Sequence, residues 1–154
     1  GRGAHSATVL PSGKILVAGG FSIDSKAVST AELFNPINLT FKKVKEIMNN
    51  ERGMHSALLL NNGKVLIAGG SGLPYAPDHP IEFDPNGMVQ RGELFDPVEN
   101  SFIKVPTKMF LPRARHQLVE VKPGHVMVLG GMTWASSNKM EIFNYIDVNV
   151  NNSY

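Results

Sequence analysis

Residues 52–70 read Arg-Gly-Met-His-Ser-Ala-Leu-Leu-Leu-Asn-Asn-Gly-Lys-Val-Leu-Ile-Ala-Gly-Gly. Two short apolar runs, residues 56–60 and 64–68, flank a tight Asn61-Asn62-Gly63 turn and end on paired glycines, which is the pattern of a β-hairpin. Almost the same text fills residues 2–20, and a looser copy fills residues 113–131. Landmarks keep step across the copies. His5, His55 and His116 lie 50 and 61 positions apart, and so do Gly19, Gly69 and Gly130. A third series, Glu32-Leu33-Phe34, Glu93-Leu94-Phe95 and Glu141-Ile142-Phe143, is spaced by 61 and 48, so the surplus of the middle unit falls between Gly70 and Glu93. A period of about fifty residues built from short strands is one signature of propeller blades.

Read in order, the first unit predicts strands over residues 5–10, 14–18, 30–35 and 40–44. The second predicts them over 55–60, 64–68, 92–96 and 101–105, and the third over 116–121, 125–129 and 140–145, with a ragged stretch after Asp147. Pro11, Pro36 and Pro97 fall in turns, where a residue that cannot donate to a ladder is expected. The expected fold class is all-β: a propeller segment of three four-stranded antiparallel blades, over about residues 1–48, 49–110 and 111–154.

The chain resembles the kelch-repeat family, including the kelch-like propeller of galactose oxidase and its relatives. The Arg-x-x-His motifs Arg2/His5, Arg52/His55 and Arg113/His116 carry the resemblance, with the pairs Gly19-Gly20, Gly69-Gly70 and Gly130-Gly131 after apolar strands. Glu-Leu-Phe-Asn-Pro at residues 32–36 and Glu-Leu-Phe-Asp-Pro at 93–97 complete it. Kelch repeats usually have Tyr where Phe34, Phe95 and Phe143 stand, and Trp where Phe41 and Phe102 stand, so these departures exchange one aromatic for another. In the third unit Val150 takes the position of Phe41, which makes that unit degenerate or short. The resemblance covers nearly the whole chain and implies a kelch-type propeller, a fold that hosts many functions.

Composition narrows the function classes. With 42% apolar and 18% charged residues the chain can bury a core. A net charge of +2, with no long single-sign block, gives no electrostatic case for nucleic acid or a membrane surface. No apolar run is long enough for a spanning helix. The absence of cysteine removes disulfides and thiolate sites. The compartment is left open, and the sequons at Asn38 and Asn151 lean toward an extracytoplasmic or secreted setting.

Up-and-down connectivity puts the Arg-x-x-His motifs, the Gly-Gly pairs, the second-to-third-strand loops and the links between units on one face, here called upper. The turns at Gly13, Gly63, Gly124, Pro36 and Pro97 fall on the lower face. The longest upper loop is residues 71–92, 22 residues where the other units have 11 and 9. It contains Tyr75, Asp78, His79, Glu82, Asp84 and Arg91, stiffened by four prolines. A stiff polar loop loses little entropy on binding, and a lengthened loop is also tolerated passively. Candidate ligand-binding residues are Tyr75, Asp78, His79, Arg91, Arg115 and Trp134. Asp78, His79, Glu82 and Asp84 match no metal-ligand spacing, so no metal and no cofactor is expected. The recurrent arginines, histidines and glycines are read as structural, because a residue present in every unit meets a demand that every unit shares. The glycines allow close backbone approach to the adjacent blade, and no phosphate-loop pattern surrounds them.

Enzyme chemistry finds little here. Copper chemistry of the galactose oxidase kind, as the resemblance implies it, needs a Tyr-Cys crosslink that a chain without cysteine cannot supply. Trp134, the single tryptophan, lies outside any sialidase-type Ser-x-Asp-x-Gly-x-x-Trp box. The expected function is a scaffold that binds a protein or carbohydrate surface on the face of residues 71–92. The alternative is part of a sugar-active propeller enzyme, oxidase-like or epimerase-like, with catalytic residues partly outside this segment. An open fan of three blades leaves two apolar faces of roughly 500 Å², each roughly 12 kcal/mol at ~25 cal/mol per Å². Further blades of a longer chain, the arrangement favoured by the sequence, or a second copy closing a six-blade ring would cover them.

Overall fold

The hairpin at the centre of that reading forms, and it does so three times. A computed structural model describes residues 1–73, 87–133 and 139–145. All eleven of its named elements are strands. The first sheet contains β1 (Ser6–Val9), β2 (Ile15–Ala18), β3 (Ala31–Asn35) and β4 (Thr40–Lys43) in that spatial order. The second contains β5 (Ser56–Leu59), β6 (Val65–Ala68), β7 (Arg91–Asp96) and β8 (Ser101–Lys108), also in order. β9 (Gln117–Lys122), β10 (His125–Leu129) and β11 (Met140–Asn144) make the third. Every pairing is antiparallel. The stretch expected to finish the third unit, after Asp147, lies outside the described residues.

Register explains the hydrophobic text. In the second sheet Leu59, Val65, Phe95 and Phe102 lie opposite one another across four strands, and Leu58, Leu66, Leu94 and Ile103 form the neighbouring row. Successive side chains point to opposite faces, so a strand between two neighbours is apolar at every position instead of alternating. β6 shows this, with all four residues buried. The face containing Val65, Ile67 and Phe95 packs with Leu10, Leu16 and Met48 of the first unit. Leu66, Ala68 and Leu94 pack with Leu118, Val126 and Phe143 of the third. The middle sheet is therefore sandwiched, and the core consists of two layers between three sheets.

β8 is longer than the expected residues 101–105, because Pro106, Thr107 and Lys108 continue it. Its partner β7 carries an irregularity between Arg91 and Glu93, beyond which Arg91 pairs Lys108. β8 is the outer strand, so a proline with no amide to offer removes no ladder bond on its free side.

Candidate ligand face

The ends of the sheets where β1, β5 and β9 begin hold the recurrent residues, and their geometry shows what each is for. Arg52 is fully buried, and its Nη2 donates to Glu93 Oε1 at 2.7 Å. Its Nη1 donates to the carbonyls of Gly69 at 3.1 Å and Arg91 at 2.8 Å. Glu93 is saturated from the other side by the amides of Asn49 at 2.6 Å and Asn50 at 3.1 Å, which belong to the link from the first unit. One ion pair thus ties the start of β5, the end of β6, the start of β7 and the incoming chain. Charge-assisted bonds of this kind are short and strong.

The same design recurs around Arg2, which bonds Glu32 at 3.0 Å and the carbonyls of Gly19 and Thr30 at 3.0 and 2.8 Å. Here the pair is partly solvated. Arg113 Nη1 reaches the carbonyls of Gly130 at 2.7 Å and Lys139 at 2.9 Å, while Glu141 accepts the amide of Phe110 at 2.8 Å. Sequence reasoning left Glu32, Glu93 and Glu141 as mere landmarks. That they recur in step with the arginines was the signal that could have paired Glu32 with Arg2 and Glu93 with Arg52; in the third unit Arg113 and Glu141 form no such ion pair.

The histidines and glycines join one sheet to the next. His55 Nε2 and Ser6 Oγ share a hydrogen bond of 2.8 Å, and Ser56 Oγ donates to the His116 carbonyl. The Gly20 amide donates to the Arg52 carbonyl at 2.8 Å, and the Gly70 amide to the Arg113 carbonyl at 2.9 Å. Gly19 and Gly69 sit at φ +62° and +68°, and a Cβ on either would lie 2.5 Å from those same carbonyls. The second glycine of each pair has a different neighbour. A Cβ on Gly20, Gly70 or Gly131 would strike its own unit, at the carbonyl of Gly3, Gly53 or Ala114. A side chain would therefore meet the adjacent sheet only at the first glycine, while the second faces its own unit on that side and reaches the adjacent sheet through its amide.

Burial sets the electrostatics of these rings. It pushes His55 down to about 3, with the Arg52 charge adding to the effect, and His116 down to about 4 beside Arg113. Both are neutral imidazoles packed in junctions. His5, whose Nδ1 lies 3.2 Å from the Arg2 carbonyl, is exposed on the first sheet. Among the described residues no group of three or more acidic or histidine side chains could hold a metal ion. No helix of the described residues is long and apolar enough to cross a membrane.

The remaining candidates are placed as follows. Arg115 is exposed at φ 54°, in line with Ala4 (φ 52°) and Met54 (φ 55°). A chain of bonds joins these three residues, from the Met54 amide to the Ala4 carbonyl at 2.9 Å and from the Arg115 amide to the Met54 carbonyl at 2.8 Å. They form an inner rim in which the third unit alone offers a cation. Arg91 lies at the foot of the long loop, where its Nη1 donates to the Pro106 carbonyl at 3.2 Å. With Asn50, Gln90 and Lys108 it walls a groove of about 670 Å³ between the link and the loop base. Arg91 and Lys108 share one wall through strand pairing, and Arg115 occupies a separate position on the rim. Tyr75, Asp78, His79 and Trp134 lie outside the described residues.

No family model and no curated protein matches this sequence. Among solved structures the chain is similar to that of YjhT, with a TM-score of 0.73 at 13% identity. The match covers 94% of this chain and 49% of that one, so the chain spans about half the length of the structure it matches. At that identity the likeness is one of fold.

Proposed function

We propose that the chain is a segment of a kelch-type β-propeller whose three sheets are successive blades, and that it serves as a scaffold binding a ligand on its upper face. The observation that carries this reading is a division of labour among the polar residues. Arg52, Glu93 and His55 are engaged in bonds that hold units together, and Arg113 and His116 are buried in the junction between the second and third sheets. Lys108 stands where the first unit has Ile47, Arg115 stands where the other units have Ala4 and Met54, and Arg91 shares its place in the repeat with Lys139 of the third unit; Arg91 and Lys108 border the groove and Arg115 the inner rim. Amides beside fixed cations suit a carbohydrate bearing carboxylates, since guanidinium groups match carboxylate geometry. A protein surface is the other ligand class of this reading, and further blades, from a longer chain or from a second copy, complete the propeller.

A glycan array read with the wild-type protein and with Arg91→Ala/Lys108→Ala tests the reading. Binding of acidic glycans that falls about tenfold or more in the variant, with an unchanged melting temperature, is the expected result. Loss of binding when residues 74–86 are replaced by the short loop of the first unit would place the ligand on the same face. Equal binding by wild type and variant would remove the ligand from the groove. Conversion of a bound sugar to product would favour the sugar-active enzyme instead.

A further inference from the structure

The two outward faces of the fan carry the two halves of the junction that the protein already uses twice inside. On the first sheet Val9, Ile15, Phe34 and Phe41 lie opposite one another in one row. These are the counterparts of Leu59, Val65, Phe95 and Phe102, the row by which the second sheet packs on the first. On the third sheet Val119, Met127 and Ile142 form the row that corresponds to Leu58, Leu66 and Leu94, by which the second packs on the third. In this chain both outer rows are wet. Val9, Phe41, Val119, Val121, Met140 and Ile142 are between 46% and 67% exposed. Contiguous apolar faces of this kind mark interaction sites.

We propose that a second copy of this chain covers both faces at once, with the third sheet of each molecule packed on the first sheet of the other. This rests on the propeller reading and names the partner of its open faces. The argument is continuity with the internal junctions, because the new contacts would repeat them in residue type and register. A heterologous contact made twice about a two-fold axis closes into a ring instead of running on as a filament. In that ring the Gly131 amide stands toward the Arg2 carbonyl of the other copy as Gly20 stands toward Arg52. The His5 ring then covers Gly130 as His55 covers Gly19.

The test is the solution mass of the 154-residue protein and of two charged variants, Val9→Glu/Phe41→Glu and Val119→Lys/Ile142→Lys. All four side chains are exposed in the single chain, so neither variant disturbs its core. The wild type is expected at the mass of two chains, each variant alone at the mass of one, and their equimolar mixture at the mass of two. A monomeric wild type, an open-ended series of larger species, or a variant that stays dimeric alone would each overturn the proposal. Its failure is separable from failure of the propeller reading, which the stability of Gly69→Val tests whatever the mass.

Discussion

Arg52 and Glu93 hold each other with side chains 0% and 1% exposed, whereas the equivalent Arg2 and Glu32 are 16% and 27% exposed. Removing one partner of a buried pair leaves a charge without water or counter-charge, at a cost of about 3–5 kcal/mol, while a solvated pair is worth about 1 kcal/mol or less. Glu93→Ala should therefore destabilise the protein several-fold more than Glu32→Ala in chemical denaturation. The double variant Arg52→Met/Glu93→Leu should not recover the loss, because it leaves the carbonyls of Gly69 and Arg91 and the amides of Asn49 and Asn50 without partners. The histidines make a second prediction. His55 and His116 titrate well below the ordinary histidine value in the folded protein, so between about pH 6.5 and 4 the unfolded chain binds protons that the folded chain refuses. Stability is then full above pH 6.5 and falls with acid, by at most about 1.4 kcal/mol per pH unit for each ring. A thermal melt series should show this decline, and His55→Gln should flatten it. The recurrence of Arg, His and Glu was legible in the sequence, but their pairing was not. Arg52 and Glu93 lie 41 positions apart and meet only because β5 and β7 flank β6.

At the scale of the element, the strands emerged from the text almost where they lie, because the central ones are short apolar runs closed by Gly, Pro or Asn and the others repeat their landmarks in step. The exception is β8, where Pro106 reads as a terminator until the strand is known to be an outer one. The glycine pairs were legible as places of close approach, yet which neighbour each one meets depends on how the chain folds back over its first strand. This gives a graded prediction. Gly69→Val adds a side chain at φ +68° against the Arg113 carbonyl and the His116 ring, and should cost about 3 kcal/mol or more. Gly13→Ala, at φ +77° with nothing within 4 Å, carries only the left-handed backbone penalty of about 1–2 kcal/mol. Urea denaturation of the two variants measures the difference. Equal losses would mean that the Gly69 junction is not packed as described.

Across the whole molecule, the apolar rows stack sheet upon sheet, and the ends of the sheets are stitched by backbone bonds between neighbouring units. The proposed ligand face was only partly legible. Arg91 stood out because it lies in the long loop and Arg115 because the other units lack it, but the groove has walls from the 45–51 link and from β8, which no local pattern connects. Among the bonds that bind the sheets into one body are Gly20 amide to Arg52 carbonyl and Gly70 amide to Arg113 carbonyl, at 2.8 and 2.9 Å. Native-state hydrogen exchange reads these two amides directly, since amides freed only by global opening share the highest protection. Protection of Gly20 and Gly70 equal to that of Leu66 and Ile67 in the buried strand β6 is the result predicted for three interlocked sheets. Rapid exchange at both glycines, with β6 still protected, would mean that the sheets open independently and would contradict the account.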